Sequence, residues 1–191
     1  MLNTINTATV YEHDERKYEL IDGIAYMMAS PTYRHNMIGG NLHYIIRSYL
    51  KEKRCKVVYE TKVYLDESNR FIPDLSVVCD RKKIKPNGIY GAPDLIIEIL
   101  SPSTRKNDLS VKKDIYEKYG VKEYWLVDPA GETVDVYILQ NGKYMLDNSY
   151  HNYTPEEWEN LDDKERADTK LSLKVSLYDD FEINVKDIFE E

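Results

Sequence analysis

Leu95-Ile96-Ile97-Glu98-Ile99-Leu100 is the most informative stretch of the chain. Five aliphatic residues enclose one carboxylate. An apolar run of this length reads as a central β-strand covered on both faces, and Leu75 to Cys79 has the same character. Burying an unpaired carboxylate in such a strand is strongly unfavourable. Glu98 therefore requires a cationic partner, hydrogen-bond donors or a metal ion.

Two Pro-Asp pairs compete to supply a second acid, Pro73-Asp74 and Pro93-Asp94. Asp94 and Glu98 lie on one strand four residues apart, roughly 13 Å at about 3.3 Å per residue. That is too far for one metal ion, whose carboxylate oxygens sit about 2.1 Å from it. Asp74 lies on another strand. If 71–79 and 95–100 are neighbours, a spacing of about 4.8 Å lets Asp74 and Glu98 converge. Such a pair suits a hard divalent ion, Mg2+ or Mn2+, able to polarise a phosphodiester and orient water. Asp94 reads as a turn residue.

Outward from this pair, Tyr18 to Ala29 reads as a β-ribbon turning at Asp22-Gly23. Ile38, Leu42, Ile45, Ile46 and Leu50 give a helical period across 35–53. Lys56 to Leu65 and Phe71 to Cys79 read as strands. A helix capped by Asn107 or Asp108 runs to Tyr119 and stops at Gly120. Glu123 to Val127, Thr133 to Leu139 and Lys143 to Tyr150 form a meander. Thr154, Pro155 and Glu157 open a further helix with a capping box. Leu171 to Leu177 alternates like a strand, and 184–191 reads as a terminal helical turn. Residues 1–14 are unpatterned, a loose start or a short helix. The order predicts an α/β (α+β) fold, a mixed sheet flanked by helices, with an extra N-terminal β-ribbon and extra C-terminal strands.

The length of 191 residues fits one domain over 1–191, with 1–15 as an N-terminal segment and 151–191 as an acidic extension of the same unit. Net charge is -8, but residues 1–127 hold 20 Lys/Arg against 17 Asp/Glu, and 128–191 hold 6 against 17. The acidic excess is thus confined to the last third. Basic clusters at 47–56, 81–85 and 105–113 remain available to phosphates. No apolar run approaches the roughly 20 residues of a membrane helix, and no leader pattern is present. Cys55 and Cys79 lack CxxC spacing, and the four histidines form no ligand motif. A zinc site is not expected; reduced thiols in a cytoplasmic protein are.

The chain resembles the PD-(D/E)XK nuclease superfamily, and within it the Uma family of restriction endonuclease-like proteins. The resembling residues are Tyr18-Glu19-Leu20-Ile21-Asp22-Gly23, Met28-Ala29-Ser30-Pro31, His35, Pro73-Asp74-Leu75, Pro93 through Thr104, Asp108, Lys112, Tyr116, and Gly120 through Pro129. The resemblance implies a restriction-endonuclease-like core, a divalent metal and hydrolysis of DNA phosphodiesters. It implies Asp74 and Glu98 as metal-binding acids, with the Ile99 carbonyl as a third ligand. The superfamily places a lysine two positions after the glutamate, where this chain has Leu100. Lys112 is the candidate replacement. Asp108, Lys112 and Tyr116 share one helical face by their i, i+4, i+8 spacing.

His35 and Glu19 are candidate site residues, and Glu60 a weaker one. Ser101 and Ser103 read as turn caps. Arg34, Arg105, Lys106 and Lys113 are candidate DNA contacts. A homodimer is expected, since cutting two strands takes two sites or two visits. The alternative reading, motivated by Leu100 and the acidic last third, is a catalytically degenerate fold that binds DNA or a protein. A hydrolase of smaller phosphate esters shares the same acid pair.

Overall fold

A computed structural model describes residues 4–5 and 17–191. The expectation for residues 1–14 falls outside these, apart from β1 (Thr4–Ile5). The ribbon of β2 (Tyr18–Ile21) and β3 (Ile24–Met27) leads into α1 (Tyr33–Tyr49). Next come β4 (Lys56–Tyr59), β5 (Val63–Tyr64), β6 (Arg70–Phe71), β7 (Leu75–Val78), β8 (Ile84–Lys85), β9 (Gly88–Tyr90) and β10 (Leu95–Ile99). Helices α2 (Arg105–Leu109) and α3 (Val111–Tyr119) precede the meander of β11 (Glu123–Asp128), β12 (Thr133–Gln140) and β13 (Lys143–His151). The last third adds α4 (Pro155–Asn160), α5 (Asp163–Asp168), the hairpin β14 (Ser172–Lys174) with β15 (Glu182–Asn184), and α6 (Val185–Phe189).

The strands form a six-stranded sheet ordered β13-β12-β11-β10-β7-β4 and a seven-stranded sheet ordered β1-β3-β2-β6-β5-β9-β8. Both are mixed. In the first, β10 runs parallel to β11 and antiparallel to β7. The α2–α3 segment is the crossover that a parallel pair demands.

β10 is the covered central strand that its composition predicts. Leu95, Ile97 and Ile99 pack against Ile38, Leu42 and Ile46 of α1 and against Leu173, Phe181 and Ile188 of the tail. Ile96 and Leu100 face the other way, into Ile115, Tyr116 and Tyr124. The strand's period of two puts Glu98 on the second face.

Several boundaries differ from the sequence reading. Lys56 to Leu65 is not one strand: β4 ends at Tyr59, and Glu60 takes a positive φ of 42°. Phe71 to Cys79 is likewise split at Ile72-Pro73-Asp74. Both breaks occur where the chain passes from one sheet to the other, pinned by Glu60 N–H donating to the Asp74 carbonyl at 3.0 Å. The helix expected from 107 or 108 starts at Arg105 and breaks at Ser110, so neither Asn107 nor Asp108 caps it. The strand expected over 171–177 is confined to Ser172–Lys174. Cys55 and Cys79 are not free thiols but a disulfide. Lys56 pairs with Val78 across β4 and β7, which sets the two cysteines opposite each other one residue further along. Spacing along the chain does not reveal that register. Among the described residues no helix is long and apolar enough to cross a membrane.

Two glycines have opposite expected responses to alanine. Gly88 has φ of 149°, and a Cβ there would meet the Lys62 carbonyl at 2.5 Å, so backbone would have to move. Gly40 is an exposed position inside α1 where a Cβ meets nothing within 4 Å. In urea titrations Gly88→Ala is expected to lose about 2 kcal/mol or more, and Gly40→Ala to gain roughly 0.5–1 kcal/mol.

Candidate active site

The break between β6 and β7 delivers Asp74. Continuing the β7–β10 register, in which Leu75 faces Ile97, sets Asp74 opposite Glu98. The strands expected to be neighbours are neighbours. Asp74 Oδ2 accepts from the Ile99 N–H at 2.6 Å, and Oδ1 lies 2.9 Å from His35 Nε2. His35 stands in the first turn of α1, where Thr32 caps the helix by accepting from His35 N at 3.2 Å. Burial opposes a charged imidazole, but the hydrogen bond and charge of Asp74, with Glu60 and Asp108 beyond, raise the His35 pKa above its ordinary value.

Glu98 meets Lys112 Nζ at 2.7 Å and accepts from the Tyr116 hydroxyl at 2.9 Å. Both partners come from α3, one turn apart. Lys112 also approaches Asp108 Oδ1 at 3.0 Å and Glu19 Oε1 at 3.3 Å. Glu19 arrives on β2, its carboxylate anchored by the Ile72 N–H at 2.9 Å. The Lys112 side chain is 3% exposed and that of Asp108 1%. The lysine is therefore no surface salt-bridge partner but the centre of a buried cluster drawn from both sheets and from the α2–α3 crossover.

Negative charge exceeds positive charge here. Burial disfavours the Lys112 ammonium, but Asp108, Glu19 and Glu98 more than compensate and push its pKa up. Glu98 is pushed well up by burial first, with Asp108, Glu19 and Asp74 adding to it against Lys112. Asp108 Oδ1 has no well-oriented hydrogen bond, despite its short approach to the ammonium. A proton or a bound cation would relieve this excess. The donors are hard oxygens, as Mg2+ or Mn2+ prefers. Among the described residues no three His, Cys, Asp or Glu side chains converge as a ready metal cluster. Asp74 and Glu98, opposite each other in the continued register of β7 and β10, are the carboxylates that could hold such an ion, with water completing its shell as Mg2+ commonly binds.

These groups line a cavity of about 540 Å³, with Glu19, His35, Glu60, Asp74, Glu98 and Lys112 among its walls. Ser101, Ser103 and Arg105 stand at its side. Ser101 and Ser103 bond to each other, as turn residues do. Of the expected DNA contacts, Arg105 lines the cavity and pairs with Asp128 at 2.8 Å. Lys106 is exposed on α2. Arg34 is held by Glu132 and Glu191, and Lys113 lies 3.5 Å over the Tyr137 ring. Asp94 is the structural acid the strand geometry suggests, bonded to Lys122 and the Cys79 N–H at 2.8 Å each. Tyr116, on the helical face shared with Asp108 and Lys112, is fully buried and bonded to Glu98. The i+4 spacing of Asp108, Lys112 and Tyr116 was the available signal; nothing in it disclosed their burial.

A mixed sheet with carboxylates and a lysine meeting at a break in its central strands is a nuclease-like architecture. The chain belongs to the Uma2 family, described as "Putative restriction endonuclease", whose model matches residues 6–168. It is similar to the uncharacterized protein slr1290 of Synechocystis sp., 29% identical over 129 residues, covering 66% of this chain and 68% of that protein. Its fold matches the crystal structure of a putative nuclease belonging to DUF820 from Anabaena variabilis. The TM-score is 0.71 and identity 24%, with 97% of each chain covered.

Lys112→Met is expected to lose about 3–5 kcal/mol in urea titrations, because it strands buried carboxylates. Glu98→Gln leaves a neutral side chain and is expected to stay folded with a much smaller loss. Asp94 behaves otherwise. Burial raises its pKa, but Lys122 and the Cys79 amide outweigh that and hold it below the usual aspartate range. Its contribution is present above that range and is lost as pH falls through the depressed value. The stability gap between wild type and Asp94→Asn is therefore expected to close on acidification.

Proposed function

We propose that this protein is a metal-dependent endonuclease that hydrolyses phosphodiester bonds in DNA. Asp74, Glu98 and the Ile99 carbonyl are the residues that would hold Mg2+ or Mn2+. The observation that carries the reading is the Lys112 ammonium 2.7 Å from Glu98, with Leu100 where the superfamily has its lysine. A helix supplies from outside the strand the cation that the strand lacks.

When bound, the divalent ion contributes Lewis-acid polarisation of the phosphoryl group and a more acidic water. The residues of the chain do the rest. His35 and the Ile99 N–H fix the Asp74 carboxylate through one oxygen each, so its orientation is set before substrate arrives. Tyr116 does the same for Glu98. Lys112 keeps a positive charge at the cavity wall, where it opposes the negative charge that builds on a phosphoryl group under attack. Asp108 and Glu19 keep that lysine charged and in place. Arg105, at the cavity wall, and the exposed Lys106 next to it on α2 would meet flanking phosphates.

One observation favours the degenerate-fold reading as a second possibility: Lys112 is already shared among three carboxylates. The two readings separate on plasmid DNA incubated with Mg2+ or Mn2+, with chelator controls. The nuclease reading expects wild-type cleavage that falls at least about a hundredfold in Asp74→Ala and Glu98→Gln and persists in Asp94→Asn. It also expects DNA affinity to fall as salt rises. No metal-dependent cleavage by wild type, with DNA binding intact, would decide for the binding module.

A further inference from the structure

The opposite end of β7 carries a second cavity with different chemistry. It has a volume of about 610 Å³ and is lined by Cys55 and Cys79 together with Arg54, Lys83, Lys122 and Tyr178. Small-molecule sites commonly fall between about 300 and 1,000 Å³. The disulfide joins the start of β4 to the residue after β7. Its two residues are not equally buried: Cys55 is 4% exposed, whereas Cys79 is only partly buried.

The three cations are fixed by the backbone and by one acid. Arg54 Nε donates to the Cys79 carbonyl at 2.9 Å, and Lys83 Nζ to the Ala92 carbonyl at 2.7 Å. Lys122 pairs with Asp94. The wall also holds Asp80 and Asp94, so three cations face two carboxylates. Asp80 accepts from the Lys82 N–H at 3.0 Å, and Asp94 from Cys79 N–H and Lys122. The local balance is positive. Cations beside a cysteine favour its thiolate and draw in anions.

We propose that this cavity is a thiol–disulfide exchange site for a low-molecular-weight thiol that carries carboxylates. The incoming thiolate attacks Cys79 Sγ, the Cys55–Cys79 bond breaks, and its electron pair leaves on Cys55 Sγ. A second thiolate attacks the ligand sulfur of the mixed disulfide, releasing the Cys79 thiolate and the small-molecule disulfide. Two thiols are oxidised, one protein disulfide is reduced, and the two protons released by the thiols go to the cysteines. The reverse sequence reforms the bond. The site does not depend on the nuclease reading, and its residues lie apart from Asp74, Glu98 and Lys112.

Glutathione and the uncharged 2-mercaptoethanol, with their disulfides, are the probes, followed by intact-mass spectrometry. Cys55→Ser with oxidised glutathione is expected to gain one adduct, on Cys79, at least about tenfold faster than Cys79→Ser gains one on Cys55. With both cysteines present, Lys122→Gln and added salt are each expected to slow reduction by glutathione severalfold and reduction by 2-mercaptoethanol distinctly less, because its thiolate carries no carboxylates. Lys122 is 67% exposed and Gln keeps a donor for Asp94, so the variant is expected to fold. Equal adduct rates on the two cysteines would overturn the proposal. So would a salt-independent glutathione rate, or a wild-type protein whose thiols stay free in oxidised glutathione.

Discussion

The buried ammonium of Lys112 is the constraint around which the two sheets are arranged. It is reached by Glu19 from the seven-stranded sheet, by Glu98 from the six-stranded sheet and by Asp108 from the crossover. Remove it, and buried carboxylates from three separate elements face one another with no cation between them. A cluster of well-packed aliphatic residues would hold these elements together with no desolvation cost. The folded chain instead retains a costly ionic junction at the wall of a cavity. That is the physical ground for reading the junction as chemistry rather than scaffolding.

The same comparison explains what the sequence reveals and what it conceals. A carboxylate in an aliphatic strand is conspicuous, and strand spacing alone separates Asp74 from Asp94. Helical phase puts Asp108, Lys112 and Tyr116 on one face. Those arguments use local geometry, which the chain encodes locally. Burial is not local. An i+4 spacing of Asp108 and Lys112 is equally that of a surface pair, and only β2 and β10, which come from far along the chain, bury the lysine. The breaks at Glu60 and Asp74 also escape pattern reading, because the residues on both sides favour strands and only the passage between two sheets forces the turn. Opposed cysteines 24 residues apart depend on the same long-range register. Arg34 and Lys113 illustrate the converse: their charge is visible in the sequence, but Glu132 and Glu191 in one case and Tyr137 in the other had to be brought to them.

The acidic last third is not an appendage. Leu173, Val175, Phe181, Ile183 and Ile188 complete the core on the α1 face of the central sheet. Glu123 anchors this layer. It is wholly buried and pairs with no cation among the described residues, accepting instead from Ser176 N at 3.0 Å and Trp125 Nε1 at 2.7 Å. Burial raises its pKa more than these donors lower it. The Glu-Tyr-Trp motif thus has a structural reason: the acid docks the tail and the indole orients the acid. Most of the excess negative charge sits on exposed positions of the tail, while Asp128 pairs with Arg105 of the basic cluster at 105–113.

Asp74 and Asp94 show how one local pattern acquires two roles. Each follows a proline, and each stands at the start of a central strand with its oxygens engaged by an amide and a side chain. Because β7 and β10 are antiparallel, those starts lie at opposite ends of the same strand pair. At one end the neighbours are Glu98, Lys112 and His35, so the carboxylate joins a set of hard oxygens with a charge excess. At the other end they are Lys122 and the Cys79 amide, so the carboxylate is balanced and serves the disulfide's surroundings. Antiparallel pairing therefore separates the acid cluster from the disulfide by about the length of a five-residue strand, roughly 16 Å at 3.3 Å per residue. The residue type is shared; what differs is the end of the sheet to which topology delivers it.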